Sequence, residues 1–234
     1  MLYFLRKIRK SLVQDGSARR YLLYAAGEIL LVVLGILIAL QINNWNEDRI
    51  DNRLERIYLN EILENLYVDK DEISKVFARQ EIEMSKTKKC LQILREGVED
   101  NIQFDTLFNE ATRGNPTFYP KVGGYNSLVT QRGTTIIRDK KVLDIVTQLY
   151  EHFYERIKMN GSLLDHRFTE MQNLKHDIYS NYDNTFLKEE WRESEKAKSV
   201  LNYTFSIRER VYYHLNYTLE EIDTTIEVLE SYLN

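Results

Sequence analysis

Residues 21 to 42 read YLLYAAGEILLVVLGILIALQI, a run whose single charged side chain is Glu28. Twelve Leu, Ile and Val residues lie between residues 22 and 40. A helix of that length covers roughly 28 Å, which matches a bilayer hydrocarbon core of about 30 Å. At about −0.3 to −0.6 kcal/mol each, these residues outweigh roughly +3 kcal/mol for one central acid. The run therefore predicts a single membrane-spanning helix.

Two other interpretations of this apolar run fit less well. A buried core helix of a soluble protein rarely continues this long without polar residues. A cleaved signal peptide has a shorter apolar region and a cleavage site of small residues, whereas residues 38 to 41 read IALQ. We therefore expect an uncleaved anchor, with the lipid bilayer as a partner.

The charges that flank the run predict its orientation. Six basic residues and one acid precede it, while acidic and basic residues are mixed just after it. Because Lys and Arg near a span mark the cytoplasmic side, we expect residues 1–20 inside the cell and residues 43–234 outside. Aromatic residues favour membrane interfaces, so we expect Tyr21 and Tyr24 at the inner boundary and Trp45 at the outer one.

The first thirteen residues, MLYFLRKIRKSLV, combine an apolar helical stripe with basic flanks. This pattern suits a short amphipathic helix that lies on an anionic inner leaflet. It suits a plain basic flank of the span equally well, and the sequence leaves both interpretations open.

The composition of residues 43–234 predicts an all-α domain of sizeable core. Two prolines and nine glycines in 234 residues favour long helices, and no segment alternates like a strand. We expect an antiparallel helical bundle whose first helix continues from the span and stops at Gly97. Residues 98–125 are predicted to be an irregular connector around RGNPTFYPKVGGYN, with one short helix at residues 104–111, and a second short helix is expected over residues 126–132. We interpret the connector as a flexible loop, although loops also carry function.

Three further features describe the rest of the chain. Asp139 fits the N-cap of a helix that Gly161 should interrupt or bend, and another helix is expected over about residues 163–182. The last helix should start near Ser194 and carry a heptad seam formed by Leu215, Leu219, Ile222, Ile226 and Leu229. We favour a bundle over an intermolecular coiled coil for this seam, although the same packing serves both.

No motif in the sequence predicts a reaction. None of the four histidines pairs with another at i+3 or i+4, and no HExxH, GxSxG, P-loop or GxGxxG string occurs. Acidic residues on helices mostly make solvated faces and ion pairs. We expect no catalytic, cofactor-binding or metal site and no enzymatic activity. The net charge of −4 argues against nucleic acid as a partner.

Glu28 is the candidate functional residue, because an ionisable group within a span is costly. Gly35 and Ala39 follow it on the same helical face, and Gly27 lies beside them. Small residues let two helices approach closely, so a buried acid can find partners across the contact. We consider four roles for Glu28: holding a homo-oligomer together, contacting another membrane protein, carrying protons, and snorkelling to the inner interface.

Two blocks carry a resemblance to a known family. The first is YLLYAAGEILLVVLGILIALQINNWNE, preceded by FLRKIRK at residues 4–10. The second comprises residues 125–128 (YNSL), residues 137–140 (IRDK) and the LYEHFY run that follows. Together they resemble an uncharacterised family of single-pass membrane proteins from Bacteroidota. The resemblance implies a Gram-negative inner membrane, a periplasmic location for residues 43–234, and no particular activity.

These observations favour an interaction or scaffold subunit of the cell envelope that forms a homo-oligomer or binds another membrane protein. One alternative is a ligand-sensing domain, by analogy with periplasmic helical bundles in sensors. Sensing would need a partner, because residues 1–20 are too few for an output domain. Another alternative is an accessory subunit of a proton-driven membrane complex that uses Glu28.

Overall fold

The computed structural model describes residues 18–114, 116–131 and 133–234, over which the protein is nearly all-α. The chain divides into two compact units, Met1–Leu54 and Glu55–Asn234. Residues 1–17, with the predicted amphipathic stripe of the basic head, lie outside the described residues.

Helix α1 spans Ala18–Glu96 and contains the predicted membrane span. Its Leu, Ile and Val side chains between residues 22 and 42 are 43–72% exposed. Among the described residues, this is the one helix that is long and apolar enough to cross a membrane, and its apolar window contains no buried residue. Such exposure contradicts the interpretation of this run as a soluble core helix.

The end of α1 follows the sequence prediction. Gly97 comes directly after the last helical residue, has a φ of +99°, and donates its N–H to the Ile93 carbonyl at 2.9 Å. A left-handed glycine at this position satisfies a carbonyl that the helix end would leave unpaired.

The connector at residues 98–125 contains the short helix predicted at residues 104–111, and both this helix and the one predicted at residues 126–132 begin three residues earlier than expected. Helix α2 spans Asn101–Ala111, and the Asp100 side chain caps it by accepting the Gln103 N–H at 2.9 Å. Helix α3 spans Gly123–Gln131. Within this stretch, irregular chain is therefore confined to residues 98–100 and to residues 112–122, of which residue 115 is not described.

A continuous helical path follows, made of α4 (Lys140–Thr147), a π-helical segment (Gln148–Tyr154) and α5 (Glu155–His176). The Asp139 carboxylate accepts the N–H groups of residues 141 and 142 at 2.8 and 3.0 Å, which confirms the predicted N-cap. The prediction that Gly161 interrupts the helix is wrong. A helical glycine costs about 1 kcal/mol, which packing of the flanking turns can offset.

Helix α5 ends six residues before the predicted end at residue 182, and a short antiparallel ladder follows it. Strand β1 is Tyr179–Ser180 and strand β2 is Thr185–Phe186, with Tyr179 opposite Phe186. Asn184 adopts a left-handed φ of 57° in the turn between them, a conformation that asparagine tolerates. The apolar side of this hairpin is buried, so tertiary packing rather than helical periodicity decides its conformation.

Helix α6 spans Glu195–Leu233 and begins near Ser194, as predicted, and the Ser194 hydroxyl caps it by accepting the Ala197 N–H at 3.2 Å. It runs antiparallel to the part of α1 after residue 55, as three contacts establish. They are the Arg56 guanidinium with the Leu233 carbonyl at 2.6 Å, Lys70 with Asp223 at 2.7 Å, and the stacked rings of Phe77 and Tyr212 at 4.3 Å.

The heptad seam of α6 is covered within one chain. Leu215, Ile222, Ile226 and Leu229 are buried, and Leu219 is half-buried. Towards the other end of α6, a second apolar core joins α1, α2, α5, the hairpin and α6 through Cys90, Phe104, Phe108, Met171, Phe186 and Leu201.

Candidate ligand-binding cavity

Buried acids on α1 hold the non-helical parts of the chain in place. Glu55 and Asp69 are buried and lie fourteen residues apart, which is almost four helical turns and places them near one face. Glu55 accepts the Arg138 N–H and the Tyr232 hydroxyl, each at 2.9 Å. A carboxylate that accepts backbone N–H groups fixes a loop more firmly than apolar contact does, because the bond is directional.

Asp69 is the most deeply placed of these acids. Its side chain is fully buried, and its two oxygens accept the Lys121 N–H at 2.9 and 3.0 Å. The Tyr154 hydroxyl donates to the same carboxylate at 2.7 Å. Burial raises the pKa of Asp69 to about 6, against the opposing effect of these hydrogen bonds. Asp69 thus joins the irregular chain to the π-helical segment.

Arg208 on α6 fixes the beginning of the irregular chain. It is 1% exposed and donates to the carbonyls of Ala111, Arg113 and Gly114 at 2.5, 2.7 and 3.2 Å. It also donates to the Thr87 hydroxyl of α1 at 2.9 Å. These carbonyls lie at and just after the C-terminal end of α2. They lack intrahelical N–H partners there, and the helix dipole favours a cation. Burial lowers the pKa of this guanidinium.

Gly124 lets the other end of the irregular chain approach α1. A Cβ at this position would lie 3.1 Å from the Ile62 nitrogen and 3.2 Å from the Glu61 carbonyl carbon. Phe118, in the middle of this chain, is only 3% exposed. The prediction of a loosely held loop is therefore wrong here: buried polar bonds, a buried ring and a close backbone approach all hold it.

A cavity of about 690 Å³ lies between residues 116–126, the π-helical segment, α5 and α6. This volume is in the range of small-molecule sites, and the wall is mostly apolar and aromatic with a few polar groups. The lining residues include Phe118, Tyr119, Tyr125, Tyr150, Tyr154, Ile157, Leu164, Val211 and Leu215.

Four aromatic rings form one connected wall. Tyr125 and Tyr150 stack with ring centroids 4.4 Å apart, and Tyr154 meets Tyr150 edge-on at 5.0 Å. Phe118 contacts Tyr154 edge-on at 6.1 Å. Burial raises the pKa of all three tyrosines, so their hydroxyls stay protonated at neutral pH and serve as hydrogen-bond donors.

The π-helical segment supplies two rings of this wall. Segments of this kind are rare, are wider than an α-helix, and occur frequently at functional sites. Here the segment carries Tyr150 and Tyr154 towards the irregular chain, where the Tyr150 hydroxyl lies 3.4 Å from the Lys121 carbonyl.

The charged residues of the cavity are mostly acidic. Glu151 accepts the Tyr125 hydroxyl at 2.6 Å, and Glu155 pairs with Lys158 at 3.2 Å. Asp165 also lines the cavity and is exposed. The His214 ring nitrogen lies 3.2 Å from the Asn160 amide at the contact of α6 with α5. Burial lowers the pKa of His214, and nearby Arg156 and Arg210 lower it further, so the ring is neutral at pH 7.

The residues predicted for a membrane-helix contact lie elsewhere, on the first part of α1. Gly27, Glu28, Gly35 and Ala39 are all exposed, and a Cβ built at either glycine meets no atom within 4 Å. Nothing in the described part of one chain covers this face.

The predicted interfacial aromatics differ in exposure. Trp45 is 65% exposed and Tyr24 is half-buried, while the side chain of Tyr21 is not described. The heptad seam contributes to the cavity through Leu215. Over residues 18–114, 116–131 and 133–234, no group of three or more His, Cys, Asp or Glu side chains could hold a metal ion.

The sequence did not predict the cavity, although two of its signals were visible. One was the proline- and glycine-rich stretch that contains Phe118 and Tyr119. The other was the LYEHFY run, which contains Tyr150 and Tyr154. The two lie about thirty residues apart, and their shared contact with Asp69 and the contacts between their aromatic rings bring them together.

Comparison with known proteins identifies the family. The chain matches no curated protein and no solved structure. A family model described as "Family of unknown function (DUF6090)" matches residues 28–188. The matched region begins inside the apolar run, includes Asp69, the irregular chain and the π-helical segment, and ends before α6. The chain therefore belongs to the family of unknown function DUF6090.

Proposed function

We propose that this protein is a membrane-anchored ligand-binding domain that acts through a partner. The cavity carries this proposal, because its volume, its aromatic wall and its few polar groups are those of a small-molecule site. Buried hydrogen bonds from Asp69 and Arg208 hold the irregular chain that forms one wall of the cavity, without the help of a ligand. A preformed site loses less conformational entropy on binding than a disordered one.

Residues 21–42 anchor the domain in this proposal. Their exposed Leu, Ile and Val side chains suit lipid, and the basic flank suits a cytoplasmic N-terminus. The resemblance to single-pass proteins of Bacteroidota supports an inner membrane, with residues 43–234 in the periplasm. A reporter fused after Asn234 tests this topology: we expect activity from a periplasmic reporter, and activity from a cytoplasmic reporter alone would overturn it.

The role proposed is binding rather than catalysis. The tyrosine hydroxyls of the cavity stay protonated, which makes them poor nucleophiles and bases at neutral pH.

A thermal-shift screen of the full-length chain in detergent tests ligand binding. Gly161 lines the cavity, and a Cβ there meets no atom within 4 Å, so Gly161→Phe should fill the space without backbone strain. Gly161→Ala is the matched control. We expect at least one compound to raise the melting temperature of the wild type and of Gly161→Ala but not of Gly161→Phe. Equal shifts in all three, or no shift by any compound, would contradict the proposal.

The exposed face of α1 favours a second candidate, an envelope scaffold that assembles through the span. Gly27, Gly35 and Ala39 would allow close helix approach, and Glu28 would find partners across the contact. Cross-linking in native membranes should recover a homo-oligomer or another membrane protein, and recovery of monomer alone would argue against it. Assembly that survives Glu28→Gln, together with function, would exclude proton carriage while leaving a hydrogen-bonded role.

A further inference from the structure

We propose that the cavity binds a small organic cation, an ammonium group carried on an aromatic or aliphatic body. This inference rests on the proposed ligand-binding function and specifies its ligand class. Three observations support it: the excess of carboxylates in the lining, the hydrogen-bonded tyrosine hydroxyls of the aromatic wall, and an apolar wall that can hold the body of the ligand.

The lining has an excess of carboxylates. The lining contains three carboxylates, from Glu151, Glu155 and Asp165, and one lysine, Lys158. That lysine already pairs with Glu155 at 3.2 Å. The Asp165 side chain accepts no hydrogen bond from any described residue, so it is available to a ligand. An anionic ligand would meet repulsion here without a free cation in the lining to offset it.

The aromatic wall adds to the preference for a cation. Tyr154 donates its hydroxyl to Asp69 and Tyr125 donates to Glu151, so neither hydroxyl is left as a free donor for an anion. The faces of aromatic rings carry negative potential and attract ammonium groups. The Asp69 carboxylate behind Tyr154 strengthens the negative potential on that side of the cavity.

The remaining lining can hold the body of such a ligand. Ile157, Leu164, Val211 and Leu215 form an apolar wall contributed by α5 and α6. With about 690 Å³ available, the cavity admits a bicyclic ring system as well as an aminoalkyl arm.

Isothermal titration of the full-length chain in nanodiscs tests the ligand class with three matched probes. Tryptamine, tryptophol and indole-3-propionate share an indole body and a short arm that ends in an ammonium, a hydroxyl or a carboxylate. We expect tryptamine to bind at least tenfold more tightly than tryptophol, and indole-3-propionate to bind most weakly. Empty nanodiscs correct for partition into lipid, and Gly161→Phe should abolish the remaining heat.

The outcomes separate this inference from the function on which it rests. Tryptophol or indole-3-propionate binding as tightly as tryptamine, with loss in Gly161→Phe, would overturn the cationic class and leave a ligand-binding cavity. Binding by none of the three probes at millimolar concentration would contradict both.

A charge-neutral variant tests the recognition directly. Asp165→Asn should weaken tryptamine binding about tenfold and leave tryptophol binding unchanged, because only the ammonium loses an opposite charge. Glu170→Gln is the matched control: it removes an exposed acid from the same helix, outside the cavity lining. Equal weakening of both probes by Asp165→Asn, or no weakening of tryptamine, would overturn recognition of the cation by this carboxylate.

Discussion

Between residues 22 and 42, helix α1 leaves every Leu, Ile and Val side chain exposed, whereas after residue 55 it buries Leu59, Ile62, Leu66 and Ile73 completely. The first part is apolar on all sides, and the second is apolar on one face only. A helix that satisfies its own backbone needs nothing else to be stable in lipid. A helix at the surface of a folded domain must bury its apolar stripe against other elements.

The polar residues of the two parts differ in the same way. The first part carries Glu28, which no described element of one chain covers, while the second carries Glu55 and Asp69, each of which accepts a backbone N–H from outside the helices. Apolar contacts of α1 stabilise the fold, but they do not depend strongly on the orientation of the groups in contact. Its buried acids decide which loop lies where, and so shape the cavity.

The largest expected effect comes from giving the first part the polarity of the second. Leu31→Asp combined with Leu34→Asp adds about 5–7 kcal/mol to the insertion cost, which cancels the gain from the aliphatic residues. We expect the protein to leave the membrane fraction in carbonate extraction. Ile82→Asp combined with Ile102→Asp is the matched control. These two side chains are 57% and 81% exposed outside the apolar run, so this variant should stay in the membrane. Retention of the first variant would show that residues 21–42 are not the anchor.

Removal of the buried acid in the second part should have the next largest effect. Asp69→Ala leaves the Lys121 N–H and the Tyr154 hydroxyl unpaired in the interior, which should lower the free energy of unfolding by about 3 kcal/mol. Denaturant titration in detergent measures this. Asp71→Ala removes an exposed acid paired with Lys75 and should cost less than about 0.5 kcal/mol. Equal losses in both variants would refute a special role for Asp69.

The pH dependence of stability tests the environment of Asp69 in the second part of α1. Because the pKa of Asp69 is about 6 in the folded protein and near 3.8 in the unfolded one, the folded state binds more protons between these values. Stability relative to Asp69→Asn should therefore fall as pH rises from about 4 to 6, by roughly 1–3 kcal/mol, and level off above. Parallel pH profiles for the two proteins would contradict the raised pKa.

The smallest effect concerns two glycines of the Glu55–Asn234 unit. Gly161→Ala should raise the free energy of unfolding by about 0.5–1 kcal/mol, because the added methyl group meets no atom within 4 Å and the helix gains propensity. Gly124→Ala should lower it instead, because its Cβ would lie 3.1 Å from the Ile62 nitrogen. Thermal denaturation measures both. The same sign for both variants would show that the close approach at Gly124 is unimportant.

Features that depend on neighbours along the chain were predictable. The helix stop at Gly97, the N-cap at Asp139 and the start of the last helix near Ser194 follow from local conformational preferences, and all three are observed. A short helix that ends at Ala111 was also predicted and is observed as α2, whereas the uninterrupted helix through Gly161 and the hairpin at Tyr179 were missed. In each of these, packing against distant residues outweighs the local tendency.

The sequence by itself determined the apolar run, its length and the helical character of nearly all the described residues, because these depend on hydropathy and on local backbone preferences. Only the tertiary structure decided that an irregular chain would become one wall of a cavity. That outcome requires Asp69 and Arg208, more than a hundred residues apart, to bond to its two ends. Hydrogen bonds between distant residues leave no periodic signal in a sequence, since their partners meet only after the helices have packed.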